Sequence, residues 1–134
     1  MDIYFLDTDI CSYVMKRSNQ QLLDKLRDSD PSKIAISVVT EAELLFGIRL
    51  SAKPKVIRDS FDGFVRHVQV FTWGRDAAEH YADIRAALRV RGELIGSNDL
   101  MIAAHVRSVD ATLVTNNVRE FGRVPGLMLE NWTV

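Results

Sequence analysis

Apolar residues in this chain gather into short unbroken runs, and most runs stop at a cluster of polar ones. Ile3, Tyr4, Phe5 and Leu6 form the first. Four residues are too few for a globular helix, and the lack of alternation leaves no wet face. The pattern therefore predicts a strand covered on both sides, the central strand of a parallel sheet. Residues 34–39, 68–71, 111–115 and 127–129 predict four more strands. Between them apolar positions recur at helical spacing: Leu22, Leu23 and Leu26; Leu44, Leu45 and Ile48; Val56, Ile57, Phe61, Phe64 and Val65; then Ala77 through Leu88. Asp9 is expected to cap a short helix over 10–15, Ser18 or Asn19 the next, and Ser97 a helix over 98–107. Residues 51–54 break one helical run and Gly92 closes another. Repeated alternation of strand and helix predicts an α/β fold with right-handed crossovers, in one domain spanning residues 1–134.

Composition narrows the classes. The chain has 134 residues, enough for one well-cored domain. Seventeen basic residues against eighteen acidic ones argue against a broad electrostatic nucleic-acid surface and leave room for a local patch. The single Cys11 excludes a disulfide framework and a cysteine-rich zinc site. No apolar run has membrane length and an acid stands at position 2, so the cytoplasm is the expected location.

Candidate chemistry lies where the apolar runs end. In open α/β sheets, ligands collect beyond the carboxyl ends of the strands, where the first run delivers Asp7, Thr8 and Asp9. Glu43 and Gly47 are four apart on one helical face, and the glycine admits a close approach. Solvated first-turn acids favoured by the helix dipole would leave the same trace. Asp99 falls in the first turn of an otherwise apolar helix, where capping alone also favours an acid. Asn116 and Asn117 follow the fourth strand, where a plain turn is the competing explanation. These patterns gain force by converging on one edge of one sheet. His67, His80 and His105 lack metal-ligand spacing, and Cys11 reads as a small buried hydrophobe.

Four segments in order, LDTDI, SVVTEAELLFG, IGSNDLMIAAH and LVTNNVREFGRVPGLMLENW, resemble the PIN-domain ribonucleases, specifically the VapC toxins of toxin–antitoxin pairs. The resemblance spans essentially the whole chain. It implies a three-layer fold, with a mainly parallel sheet between helices, and endoribonuclease activity dependent on Mg²⁺ or Mn²⁺. It also implies homodimers and inhibition by a small VapB-like antitoxin. Residue by residue, the family's three acids fall on Asp7, Glu43 and Asp99. The fourth position, often Asp, is Asn117 here, which removes one negative charge. Thr8, Ser37 and Thr115 are expected as hydroxyls supporting the ligands, with Asn116 beside them and Asp9 as a cap or a water-mediated ligand. Carboxylate oxygens suit Mg²⁺, which prefers octahedral oxygen coordination and keeps several waters.

A silent module whose acidic pocket docks a basic segment is the rival reading, and a magnesium-dependent phosphatase is a weaker one. The phosphatase lacks the Ser/Thr and Lys constellation that a phosphoryl-aspartate enzyme needs. Arg49, Lys53, Lys55 and Arg58, with no acid among them before Asp59, are expected to contact RNA phosphates or acidic antitoxin residues. Helices around 20–29 and 54–66 are expected to bury leucines and phenylalanines in a two-fold dimer.

Overall fold

The computed structural model describes residues 2–134. Five parallel strands form one sheet in the order β3-β2-β1-β4-β5, with β1 Tyr4–Leu6, β2 Ile34–Ser37, β3 Gln69–Phe71, β4 Thr112–Val114 and β5 Met128–Glu130. The central position of β1 follows from its apolar run: Phe5 and Leu6 are fully covered, one from each face. Edge strands β3 and β5 are mostly exposed, so their sequences carry Gln69 and Glu130 where central strands carry only apolar or small residues.

Helices α1 Thr8–Lys16, α2 Gln20–Arg27, α3 Val38–Leu50 and α4 Pro54–Val65 follow β1 and β2. α5 Arg75–Val90 and α6 Ser97–Ser108 follow β3, and the short α7 Val118–Phe121 joins β4 to β5. One face of the sheet packs Phe5 and Leu113 against Ile84 and Leu88 of α5 and Ile102 and Val106 of α6. The other packs Leu6, Ile34, Ile36 and Val114 against Ile10, Leu22, Leu44 and Phe61. Helices, sheet and helices therefore make three layers, as the alternation of strand and helix implies. Gly92, at φ 67°, closes α5 as expected: the Glu93 amide donates to the Leu88 carbonyl in the 6→1 bond of a left-handed helix end. Among the described residues no helix is long and apolar enough to cross a membrane.

The starts of α3 and α6 differ from the sequence reading. Val38 and Val39, expected to extend the second strand, open α3 instead, because Ser37 caps that helix by accepting from the Val39 amide at 3.1 Å. Ser97 lies inside α6, whose cap position is Gly96 with no side-chain hydrogen bond.

Candidate active site

The chain builds β1, β2 and β3 outward in one direction, then crosses back to lay β4 on the other side of β1. The crevice between the carboxyl ends of β1 and β4 is the switch point of such a sheet, where a ligand finds room. Asp7 leaves β1 directly into it. Its extended backbone, φ −73° and ψ 174°, is that of a helix cap, and its Oδ1 accepts from the Ile10 amide at 2.8 Å. Asp7, rather than Asp9, therefore caps α1. Asp9 already lies within the first turn and cannot keep the extended backbone a cap requires. The other oxygen, Oδ2, accepts from the Thr115 hydroxyl at the end of β4. Thr115 in turn accepts from the Asn117 amide at 2.9 Å. Asp7 is only 4% exposed, and burial pushes its carboxyl up to about 6 although these two hydrogen bonds pull it down; the charges of Asp9 and Asp99 add to the rise.

Glu43 reaches the crevice from α3, with one carboxylate oxygen accepting from the Thr8 hydroxyl at 2.6 Å and the other from the Asn98 amide at 3.2 Å. Both donors are neutral, so the glutamate is oriented without being neutralised. Asp99 stands one residue beyond Asn98, half-buried on the first turn of α6. Burial pushes it up to about 6, with further contributions from the charges of Glu43, Glu120 and Asp9. Asp9, exposed on α1, thus raises both of its acidic neighbours.

The remaining expected residues divide. Asn117 sits at the cap of α7, its amide 3.4 Å from Glu120 Oε2, and Asn116 donates to the Tyr13 hydroxyl at 3.1 Å. Ser37, expected beside the carboxylates, is engaged elsewhere: besides capping α3, its hydroxyl lies 2.7 Å from His105 Nδ1 in the core. Glu120 and Asn98 were not singled out from the sequence. Asn117-Val118-Arg119-Glu120 has the spacing of a capping box, and that was the available signal for Glu120. Nothing comparable marked Asn98. Arg49, Lys53, Lys55 and Arg58 are all exposed around the α3–α4 junction, with Arg58 paired to Asp62 at 3.0 Å. A groove of about 300 Å³, lined by Thr8, Glu43, Gly47, Ile48, Ser51 and Ile57, leads from the site towards that junction.

Among the described residues, no three Asp, Glu, His or Cys side chains are close enough to enclose a metal ion by themselves. The donor set nevertheless fits a hard cation. It is all oxygen, and the buried Asp7 and half-buried Asp99 hold protons unusually tightly because their negative charges are crowded and desolvated, a condition that a divalent ion relieves.

The PIN domain family model matches residues 4–127. The chain is 38% identical over 136 residues to ribonuclease VapC2 of Rickettsia felis, covering 97% of this chain and 98% of that one. It is 38% identical over 130 residues to the tRNA(fMet)-specific endonuclease VapC of Shigella flexneri, with 97% and 98% covered. The DNA-bound VapBC structure from Salmonella typhimurium contains a chain that superimposes with a TM-score of 0.93 at 34% identity, covering 98% of this chain and 99% of that one. With the parallel sheet in place and the likeness running almost end to end, the chain belongs to the PIN-domain family, among its VapC ribonuclease toxins.

Proposed function

We propose that this chain, as a single PIN domain over residues 1–134, is the toxin of a toxin–antitoxin pair and hydrolyses RNA phosphodiester bonds with Mg²⁺, for which Mn²⁺ can substitute. The observation that carries the reading is the pair of buried or half-buried acids, Asp7 and Asp99, both pushed up to about 6 at the switch point of the sheet. Asp7, Glu43 and Asp99 would hold the ion, with Asn117 offering a neutral carbonyl or a water contact. A divalent ion bound there supplies positive charge at the scissile phosphate and lowers the pKa of bound water.

The chain's own groups prepare that site. The Ile10 amide and Thr115 hydroxyl fix both oxygens of Asp7, and Thr8 with Asn98 does the same for Glu43. A ligand set held in this way loses little freedom when substrate arrives. Arg49, Lys53 and Lys55, exposed around the α3–α4 junction, would take backbone phosphates.

Transfer RNA is the substrate class we favour, because the Shigella relative is named for cutting one. The partner is a small VapB-like antitoxin, by analogy with the Salmonella VapBC complex. The assembly we infer is a homodimer that joins the antitoxin in a larger complex. Leu23, Leu26 and Phe64 line an open cleft of about 580 Å³ beside α2 and α4, whereas Leu22 and Phe61 are already buried within the protomer. Light scattering at micromolar concentration should give about twice 15.2 kDa, and a clean monomer would count against the dimer.

Cleavage of unfractionated RNA is expected with Mg²⁺ or Mn²⁺ and is expected to vanish with chelator. Mapping new 5′ ends after brief expression identifies the substrate. A silent acidic pocket that docks a basic segment has in its favour the neutral Asn117 and, among the described residues, the lack of a closed acidic cluster. It predicts partner binding with no metal-dependent cleavage.

A further inference from the structure

Glu43 and Asp99 belong to different helices, so the gap between their carboxylates depends on how α3 and α6 are keyed to each other. A polar link does the keying in the core. His105 of α6 is 1% exposed, its ring flanked by Phe5 and Phe71, with centroids 5.2 and 6.5 Å away. Its Nδ1 lies 2.7 Å from the Ser37 hydroxyl. The Ser37 oxygen already accepts from the Val39 amide, so its proton is free to go to Nδ1.

We propose that His105 is a positioning residue: the chain of hydrogen bonds from Val39 through Ser37 to His105 sets the axial register of α6 on α3. It thereby sets the spacing of Glu43 and Asp99. The inference rests on the reading of those two acids as site residues. Its geometric basis is a matched pair of arms. Glu43 lies six residues after Ser37, and Asp99 six residues before His105. At 1.5 Å per helical residue, each arm measures about 9 Å. The arms meet again at their far end, where Asn98 donates to Glu43 at 3.2 Å. Two clasps, one buried and one at the site, thus bracket the same stretch of both helices. Trp73, in the connection after β3, adds a third tie, its indole donating to the Met101 carbonyl of α6 at 2.9 Å. An apolar side chain at 105 could fill the space, but dispersion contacts tolerate sliding that a hydrogen bond of fixed length does not.

The test compares His105→Leu, His105→Gln and Ser37→Ala with the parent protein. The readouts are metal-free crystal structures, Mn²⁺ binding followed by the free-ion resonance signal, and single-turnover cleavage of unfractionated transfer RNA. In His105→Leu, α6 should move along its axis by about 1 Å, enough to break the Asn98–Glu43 contact and to lower cleavage roughly 10- to 100-fold, with Mn²⁺ affinity weakened about tenfold. The Gln side chain offers an acceptor and a donor at similar reach, so His105→Gln should remain within about threefold of the parent in both readouts. If His105→Leu does not fold, Ser37→Ala carries the test, since it removes the link while leaving the ring in place. A lower melting temperature with the Glu43–Asp99 spacing and Mn²⁺ affinity unchanged would overturn the proposal and leave His105 a packing residue. If the parent binds no Mn²⁺ but α6 still shifts in the variants, the keying stands and the metal reading falls.

Discussion

The two sides of the crevice are built on opposite plans. On the β1–β4 side, Asp7 is buried, caps a helix and accepts a hydrogen bond from the end of a neighbouring strand, so one carboxylate serves the fold and, on the proposed reading, the chemistry together. On the α3–α6 side, Glu43 and Asp99 are half-buried and touch only neutral donors or each other's fields; the helices carrying them would form without them. A substitution on the first side therefore tests architecture and activity at once, whereas one on the second can separate them.

The largest expected effect is at Asp7. Asp7→Asn should abolish cleavage, a loss of more than about 100-fold, because it withdraws a charged ligand. Asn still caps a helix, so the metal-free protein should be as stable as the parent or more stable by up to about 1 kcal/mol, with a smaller melting shift on adding Mn²⁺. Asp7→Ala should lose activity equally and also cost about 1–2 kcal/mol through the lost cap. Equal melting temperatures for the Asn and Ala variants would show that Asp7 has no structural share.

Glu43→Gln sharpens the contrast from the other side. Cleavage should fall by a comparable factor, while urea unfolding of the metal-free protein should stay within about 0.5 kcal/mol of the parent. A destabilisation as large as that of Asp7→Ala would erase the distinction between the two sides.

Titration probes the same difference. The Asp7 carboxyl rises from 3.8 to about 6 on folding, so the folded state holds its proton more tightly. The associated stability is complete below about pH 4 and is lost as pH climbs through 6, an upper limit of roughly 3 kcal/mol. Metal-free protein should therefore weaken between pH 4.5 and 7, as flagged by a falling urea midpoint across that rough window. Asp7→Asn should flatten the fall, leaving the smaller share from the more exposed Asp99. Mn²⁺ affinity should strengthen over the same interval, since protons and metal compete for the same oxygens. The smallest effect is outside the crevice: replacing Lys53 and Lys55 with Ala should reduce the salt slope of RNA binding by about 1–2 without changing the cleavage rate of bound substrate.

The strands that position the site were readable because burial on both faces leaves an unmistakable apolar run: residues 3–6, 34–37 and 112–114 all lie within such runs. Asp7 stands where the first run ends, whereas Glu43, in the second turn of α3, and Asp99 were named through the resemblance of their segments to the PIN-domain ribonucleases. What eluded the sequence depends on backbone angles or on partners distant along the chain. Choosing Asp7 over Asp9 as the cap needs the extended backbone at the strand exit. The commitment of the Ser37 hydroxyl to His105 links residues 68 positions apart, so no local pattern announces it. Glu120 rides on a four-residue helix, too short to show periodicity.

The hydrogen bond between Thr115 and Asp7 joins positions 108 apart, and β4 can pair with β1 only once nearly all of the chain exists. Contacts of such long sequence separation close late, because the intervening loop must be confined before they reward it. During synthesis β1 emerges first and waits without β4 through six helices and two strands. A nascent or prematurely ended chain thus lacks one wall of the crevice on which the proposed chemistry depends.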